Sequence, residues 1–436
     1  MAADLMTGSA AAAAPTAAGL PSGVVIPLVP PAPGEPALRW SSRAHSIAEI
    51  EQELARIWAI PKLTAVVEGV EERNVAARTS VLNLVVVARR EEIGEHSAAV
   101  ISELTGRHPS RTLIITSADP EGRSFLDASI RAFCVLPRGD AAEVCAEQIL
   151  IRAGGEAGRH LEAIVAPLLI HDLPVTIWWP GEPPFGSPVA RDLLSMADRL
   201  VVDGSTWTGD GLARLRELSV AMTRDRLAVS DFALVRQSRW REAIASVFDL
   251  PEFTPYLRSI RRIAVTYGTH DETGAPGTTN VVKPVYHVAW LASRLGMTVD
   301  RPLTSTETSK AAQRTTSRSG AGGTAPLHRG LGAHLRTGKS EVSVVIRPVV
   351  SKMPAGTTLR VEILAERRGS ELRADVTAEA ETVHVRVWLD GVAALELVFL
   401  AARRTEADLL GDALESGGPD PVTRGAIAMA AKLAGG

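Results

Sequence analysis

The sequence predicts an α/β protein of two layered domains with mixed sheets, turning to α+β character in a β-rich C-terminal portion. Three observations carry that expectation. Residues 81–88, Val-Leu-Asn-Leu-Val-Val-Val-Ala, are too apolar for a strand with one wet face and read as a central strand covered on both sides. A helical stretch follows to about Leu104, ended by Gly106 and Pro109, and a second β-branched run fills 111–117, giving a β-α-β unit. From 341 onward the period shortens to two, with strands expected at 341–350, 358–365, 371–378, 382–389 and 393–401.

The elements between follow in order. Residues 1–39 are Ala- and Pro-rich, with seven prolines from Pro15 to Pro36, and read as a flexible extension that joins no core. Ser46 and Glu49 form a capping box ahead of Ile47, Ile50, Leu54 and Ile57 at helical spacing, and Pro61 stops that helix. Strands are expected at 125–136 and 144–152 around the turn residues Pro137-Arg-Gly-Asp140, although Asp140 and Glu143 also fit a capping box. A helix at 157–169 then leads into Pro174-Val-Thr-Ile-Trp-Trp-Pro-Gly181. The turn at 180–184 sets the domain boundary, giving an N-terminal α/β domain at 40–184 and a C-terminal one at 185–436. Within the second, helices are expected near 190–197, 211–223, 239–248 and 281–295, with strands at 199–202 and 260–267. Residues 303–324 hold 10 Ser/Thr in 22 positions, and 302–340 carry six Lys/Arg against the one acid Glu307, so about 303–340 reads as a basic flexible loop. Two short helices, near 406–414 and 422–433, close the chain.

Composition narrows the function. With 47 Lys and Arg against 50 Asp and Glu in 436 residues, the chain lacks the basic footprint of a general nucleic-acid binder. Its longest apolar runs fall well short of the ~18 residues of a membrane span, and the first Lys or Arg is Arg39, too late for the basic start of a secretory leader. Two cysteines exclude a disulfide-stapled scaffold and fit a reducing, cytoplasmic setting. Aromatic residues are scarce, and Trp, at 8, outnumbers both Phe and Tyr.

Catalytic motifs fail on context. Ala333-His-Leu-Arg-Thr-Gly-Lys-Ser340 resembles a phosphate-binding loop with its first Gly replaced, but that chemistry needs a preceding strand and a following helix, and here a strand follows. Gly154-Gly-Glu-Ala-Gly158 lacks the dinucleotide spacing and reads as a turn into a helix. No GxSxG or HExxH occurs, so no hydrolase nucleophile or dedicated metal site is expected. His171-Asp172 reads as a solvated turn pair. Cys134 and Cys145 are symmetric about Gly139-Asp140 and lie opposite each other if their segments pair as a hairpin. A disulfide is then within reach, but a reducing cell favours two buried thiols. Arg236, Arg239 and Arg241 surround Trp240, a combination found at binding hot spots and phosphate sites, and equally on a helix with one buried Trp and a wet face. Arg258, Arg261 and Arg262 form a second basic cluster that reads as structural. Ser110-Arg111 is a weaker anion-binding candidate.

Several blocks carry a resemblance. They are Asn83-Leu-Val-Val-Val-Ala88, His108-Pro-Ser-Arg-Thr112, Cys145-Ala-Glu-Gln-Ile149, Asp172-Leu-Pro-Val-Thr-Ile-Trp-Trp-Pro-Gly-Glu-Pro-Pro184 and Arg239-Trp-Arg-Glu-Ala-Ile-Ala-Ser-Val-Phe-Asp249. In order and spacing the chain resembles the glucose-6-phosphate dehydrogenase assembly proteins, the OpcA family, plainly over 45–300 and more loosely over 341–401. The resemblance implies a non-enzymatic partner of glucose-6-phosphate dehydrogenase that favours its active oligomer and so feeds NADPH production in the oxidative pentose phosphate pathway. It implies no catalytic residues and no cofactor. In photosynthetic members the system is thought to be thioredoxin-linked, which draws attention to Cys134 and Cys145. Trp178, Trp179, Arg239, Trp240 and Arg241 are the candidate partner surface, with one of the two adjacent tryptophans expected in the core and one outside, because strand neighbours face opposite ways. The alternative is a phosphosugar- or nucleotide-binding enzyme that uses Ser110, Arg111 and the Arg239–Arg241 cluster.

Overall fold

A computed structural model describes residues 22–26, 31–32, 34–59, 77–78, 80–119, 121–135, 144–270, 279–307, 329–338, 340–379 and 381–436. They form two compact units. The first is Met1–Asn83 with Gly94–Leu173, and the second is Leu84–Ile93 with Pro174–Gly436.

The first half of the chain runs β1 (Pro36–Ala44), α1 (Ile47–Ala59), β2 (Ala77–Arg78), β3 (Leu82–Ala88), α2 (Glu91–Ser102), β4 (Ser110–Ser117), β5 (Phe125–Val135), β6 (Val144–Gly154), α3 (Gly155–Arg159) and α4 (Leu161–Leu168). All seven residues of β3 are buried, as a doubly covered strand requires. Its first two belong to the first unit and the rest to the second. The sheet of the first unit has the order β1-β5-β6-β4, with β2 also against β6. β4 and β6 are parallel, while β5 and β6 form an antiparallel hairpin in which Cys134 faces Cys145. α1 starts as its capping box dictates: Ser46 Oγ accepts from Glu49 N, and Glu49 returns the bond to His45 N, with Ile50, Leu54 and Ile57 on the buried face.

One expectation fails here. The extension that joins no core does not reach residue 39, because 36–44 form β1, antiparallel to β5, with Ala37, Arg39 and Trp40 buried. Trp40 drives this. Its ring lies where a Cβ on Gly23, at φ 105°, would come within 2.6 Å, so the ring packs directly on backbone that glycine leaves open. Residues 1–21, 27–30 and 33 of that extension lie outside the described residues.

In the second unit the chain continues through β7 (Val175–Trp179), α5 (Pro188–Ser195), β8 (Arg199–Val202), α6 (Leu212–Arg224), β9 (Ala228–Asp231), α7 (Phe232–Val235), α8 (Ser238–Asp249), β10 (Ile260–Thr269) and α9 (Val282–Arg294). The double-Trp strand β7 thus belongs to this unit, ahead of the turn at 180–184. One sheet is β3-β7-β8-β9, with β7, β8 and β9 parallel. The other is built by β10 with β11 (Thr298–Glu307), β12 (Arg329–Thr337), β13 (Ser340–Val350), β14 (Thr358–Arg367), β15 (Ser370–Ala378), β16 (Thr382–Leu389) and β17 (Val392–Leu400), in the order β11-β12-β13-β10-β14-β15-β16-β17. Its period-two alternation shows in Val361, Ile363, Ala374, Val376, Val385 and Val387, which are buried, while the intervening Arg360, Glu362, Arg373 and Arg386 are not; Asp375, between Ala374 and Val376, is buried as well. α8 lies against β15–β17 and α9 against β10, β13 and β14. α10 (Glu406–Glu415) and α11 (Pro421–Leu433) end the chain, and α11 packs on α6 and α9.

The basic loop is shorter than its composition implies. Residues 303–307 belong to β11 and 329–337 to β12, paired antiparallel, for example Thr304 with Gly332. Residues 308–328, with most of the Ser/Thr run, and 339 lie outside the described residues. The imitation phosphate loop at 333–340 is the β12–β13 hairpin, with Gly338 at φ 57° in its turn.

Candidate functional site

Of the five candidate surface residues, four point inward. Every residue of β7 is buried, Trp178 at 0% exposure and Trp179 at 6%. The expectation that one of the pair faces out is therefore wrong. Side chains do alternate along β7, but the parallel sheet is covered on both faces, so both directions lead into packing. Trp178 meets the Phe232 ring at 6.3 Å. Trp240 is buried on α8 with its ring 5.0 Å from that of His287. Arg241 donates to the Leu234 carbonyl and so holds the end of α7. Arg239 alone is well exposed, at 58% of its side chain, and is met by Glu242 one turn on at 2.7 Å. That loose pair leaves the guanidinium available to a partner.

The resemblance blocks prove to be pins inside the fold. Asn83 donates through Nδ2 to the carbonyls of Ile170 and Leu173 and accepts Ile170 N, tying β3 to the turn at His171-Asp172, where Asp172 sits at φ 65°. Arg111 donates to Glu147 and to the Leu168 carbonyl, and Trp58 Nε1 reaches the other Glu147 oxygen at 2.6 Å. Glu147 is fully buried, and Arg111 nearly so. Gln148 donates to the Ala98 carbonyl on α2. Ser110 is bonded to Thr112. Arg111 is thus neutralised internally by Glu147, and Arg239 and Arg241 belong to the other unit. Glu182, in the turn after β7, accepts from Thr208 N and Oγ1 and from Arg214. Burial raises its pKa, but those bonds outweigh it and hold the carboxyl down at about 2.

Cys134 and Cys145 are joined as a disulfide, with Cα atoms 4.1 Å apart and both residues buried. The favoured reading of two free thiols is corrected. The hairpin register sets them directly opposite, at the close Cα spacing of a non-hydrogen-bonded antiparallel pair.

A second buried polar cluster was missed from sequence. It gathers at the carboxyl ends of β8 and β9, where open α/β sheets usually receive ligands. Asp231, wholly buried at the end of β9, accepts from Gly204 N (2.9 Å), Ala233 N (2.8 Å) and Tyr286 Oη (2.7 Å). Asp203 accepts from Ser205 and from Arg236 Nη1 at 2.6 Å. Asn280 donates to the carbonyls of Gly204 and Trp207 and accepts Val282 N at the start of α9. A Cβ on Gly204 would lie 2.7 Å from Asp231 Oδ2, so only glycine lets this loop approach. Burial first, then the Asp203 charge, pushes Asp231 up to about 7 despite its three donors. His287 is pushed the other way, to about 3, by burial and by Arg241. The chain's own groups saturate both aspartates, so the cluster binds β8 and β9 to α9 and can hold a proton near neutrality. Single short-strand aspartates give no periodic signal, which is why sequence reasoning passed over them. Among the described residues no group of three potential metal ligands occurs, and no helix is long and apolar enough to cross a membrane.

Comparison with known proteins follows this geometry. The family described as the glucose-6-phosphate dehydrogenase subunit N-terminal domain matches residues 101–219, and the corresponding C-terminal domain matches residues 227–427. A protein of Synechocystis, named an OxPP cycle protein OpcA, is 26% identical over 204 residues, 46% of this chain and 40% of that protein. The chain therefore spans less than half the length of this curated relative. Among solved structures, the transcriptional regulator Gal80p of Kluyveromyces lactis is 12% identical, with a TM-score of 0.43 over 82% of this chain and 88% of that one. A protein of Klebsiella pneumoniae described as an oxidoreductase is also 12% identical, with a TM-score of 0.41 over 81% and 93%. Likeness at that level carries nothing about function. The two domain matches together span most of the sequence, and the chain belongs to the OpcA family of glucose-6-phosphate dehydrogenase assembly proteins.

Proposed function

We propose that the protein is a non-catalytic activator and assembly factor of a glucose-6-phosphate dehydrogenase, acting in the cytoplasm to favour the enzyme's active oligomer and hence NADPH production in the oxidative pentose phosphate pathway. The observation that carries this is the match of both family domains across 101–427. The inward use of the blocks that mark the family supports it, since Arg111, Glu147, Asn83 and Glu182 all terminate on other groups of the chain. Such a partner needs no chemistry of its own. One that binds the active oligomer more tightly than the inactive form shifts the population by that difference in affinity, typically about 1–3 kcal/mol. Of the residues singled out in the sequence, Arg239 is proposed as the one that touches the enzyme; Trp240 and Arg241 anchor the buried side of the same helix, and Trp178 and Trp179 are buried in β7. The Cys134–Cys145 pair is proposed as a redox-sensitive clip in the β5–β6 hairpin.

The test is binding and activation of the cognate dehydrogenase by Arg239→Ala. The variant is expected to keep its thermal transition and to weaken complex formation several-fold. Unchanged binding and activation would remove α8 from the interface.

A further inference from the structure

The outermost strand of the larger sheet has the composition of an inner strand and the exposure of a surface one. β17 reads Val-Ala-Ala-Leu-Glu-Leu-Val-Phe-Leu, and none of its nine residues is buried. Val392, Val398 and Leu400 are 70%, 57% and 79% exposed. One edge of β17 pairs with β16; beyond the other, no strand lies among the described residues. Natural sheets guard such an edge with Lys, Pro, inward charges or a bulge. β17 has no Lys, Arg or Pro, and its register shift, at Val387/Trp388, sits beside the hairpin turn and leaves the remaining ladder regular. Its one charge, Glu396, is taken by Arg386 of β16 at 2.9 Å.

We propose that β17 is a homodimer seam, pairing antiparallel with β17 of a second copy about a two-fold axis at Leu397. Charge selects this occupant. The edge carries the single charge Glu396, paired on the surface with Arg386, and so presents no cluster of either sign to a strongly basic or acidic strand; its complement is another apolar, nearly uncharged strand. β17 is itself such a strand, present at the concentration of the chain. Charge also selects the register. Centring on Glu396 would set two carboxylates face to face, which is unfavourable across an antiparallel pair. Centring on Leu397 sets Glu396 against Val398, Ala394 against Leu400, and Leu395 against Phe399. The apolar row Leu395, Leu397 and Phe399, which continues the helix-covered face through Val387, Val385 and Val383, is symmetric about that point. A two-fold contact of this kind uses one patch twice and closes without leaving an edge.

The experiment is sedimentation velocity on the full chain from about 1 to 100 μM, a range that brackets ordinary dimer affinities, with Val398→Glu and Val398→Lys. Val398 is exposed, so both variants are expected to keep the wild-type melting transition. The wild type is expected as a dimer. Val398→Glu places a carboxylate against each partner Glu396 and should halve the mass, while Val398→Lys places an ammonium there and should retain the dimer. A monomeric wild type, a dimeric Val398→Glu, or loss of the dimer in both variants would overturn the Leu397-centred seam. A wild type that is monomeric alone but captures the dehydrogenase through this strand, with capture lost in Val398→Glu, would assign the edge to that enzyme and likewise overturn it.

Discussion

Asp231 and His287 show how burial, joined by a like-charged neighbour, sets opposite pH dependences within one unit. Asp231 has its folded pKa raised from 3.8 to about 7, by burial and by Asp203. The folded state then holds the proton more tightly than the unfolded one, and its stabilising contribution, complete below about pH 4, is lost as pH rises to about 7. His287 has its folded pKa lowered from 6.5 to about 3, by burial and Arg241, so its contribution is complete above 6.5 and lost as pH falls towards 3. Across pH 4–6.5 the two slopes oppose each other and nearly cancel. Asp231→Asn keeps both N–H bonds on its carbonyl and can donate to Tyr286, while removing one slope. Chemical denaturation of that variant should therefore show stability rising by a few kcal/mol from pH 4 to 6.5 relative to wild type. Parallel curves for the two proteins would show that Asp231 does not titrate there. The tryptophans separate in the same way. Trp178→Ala, at a fully buried site, should cost about 3–5 kcal/mol, whereas Arg239→Ala should stay within about 0.5 kcal/mol; a mild Trp178→Ala in thermal unfolding would contradict its place in the core.

At the scale of elements, what could be read in the sequence was what repeats locally. The capping box of α1, the doubly apolar β3 and the alternation of β13–β16 each carry their signal within a single stretch of chain, and each forms. What escaped depends on partners distant in sequence. Trp40 turns the end of a proline-rich segment into β1 because β5 is there to pair with it. β11 and β12 cut into a loop whose composition looked continuous, because their pairing partners lie on the far side of the Ser/Thr run. The five residues chosen as a surface were legible as a motif but not as a location, since Arg beside Trp reads alike on a binding face and in a core. The cysteine pair is the intermediate case: its opposition was legible from symmetry about the turn, while its oxidation was not. Closing a loop with a sequence separation of 11, the disulfide should contribute about 3 kcal/mol on chain-entropy grounds. Cys134→Ala with Cys145→Ala should lower the thermal transition accordingly, and reductant should act only slowly because both residues are buried. An unchanged transition would show that the hairpin carries itself without the bond.

For the whole molecule, the blocks that identify the family serve the architecture, and the proposed partner contact falls to the surface around them. Buried pins such as Arg111–Glu147 and Asn83 tie the first unit together, and order already built into a partner spares differential affinity, since any ordering on binding is subtracted from it. The central claim is activation without catalysis. It is tested most directly by measuring NADPH formation by the cognate dehydrogenase across glucose-6-phosphate concentrations, with the enzyme's oligomeric state followed in parallel, with and without saturating protein. A lower KM or a higher kcat, together with a larger share of the active oligomer and no turnover by the protein alone, is the expected result. Unchanged kinetics and unchanged oligomer distribution at saturation, or turnover by the protein itself, would contradict it.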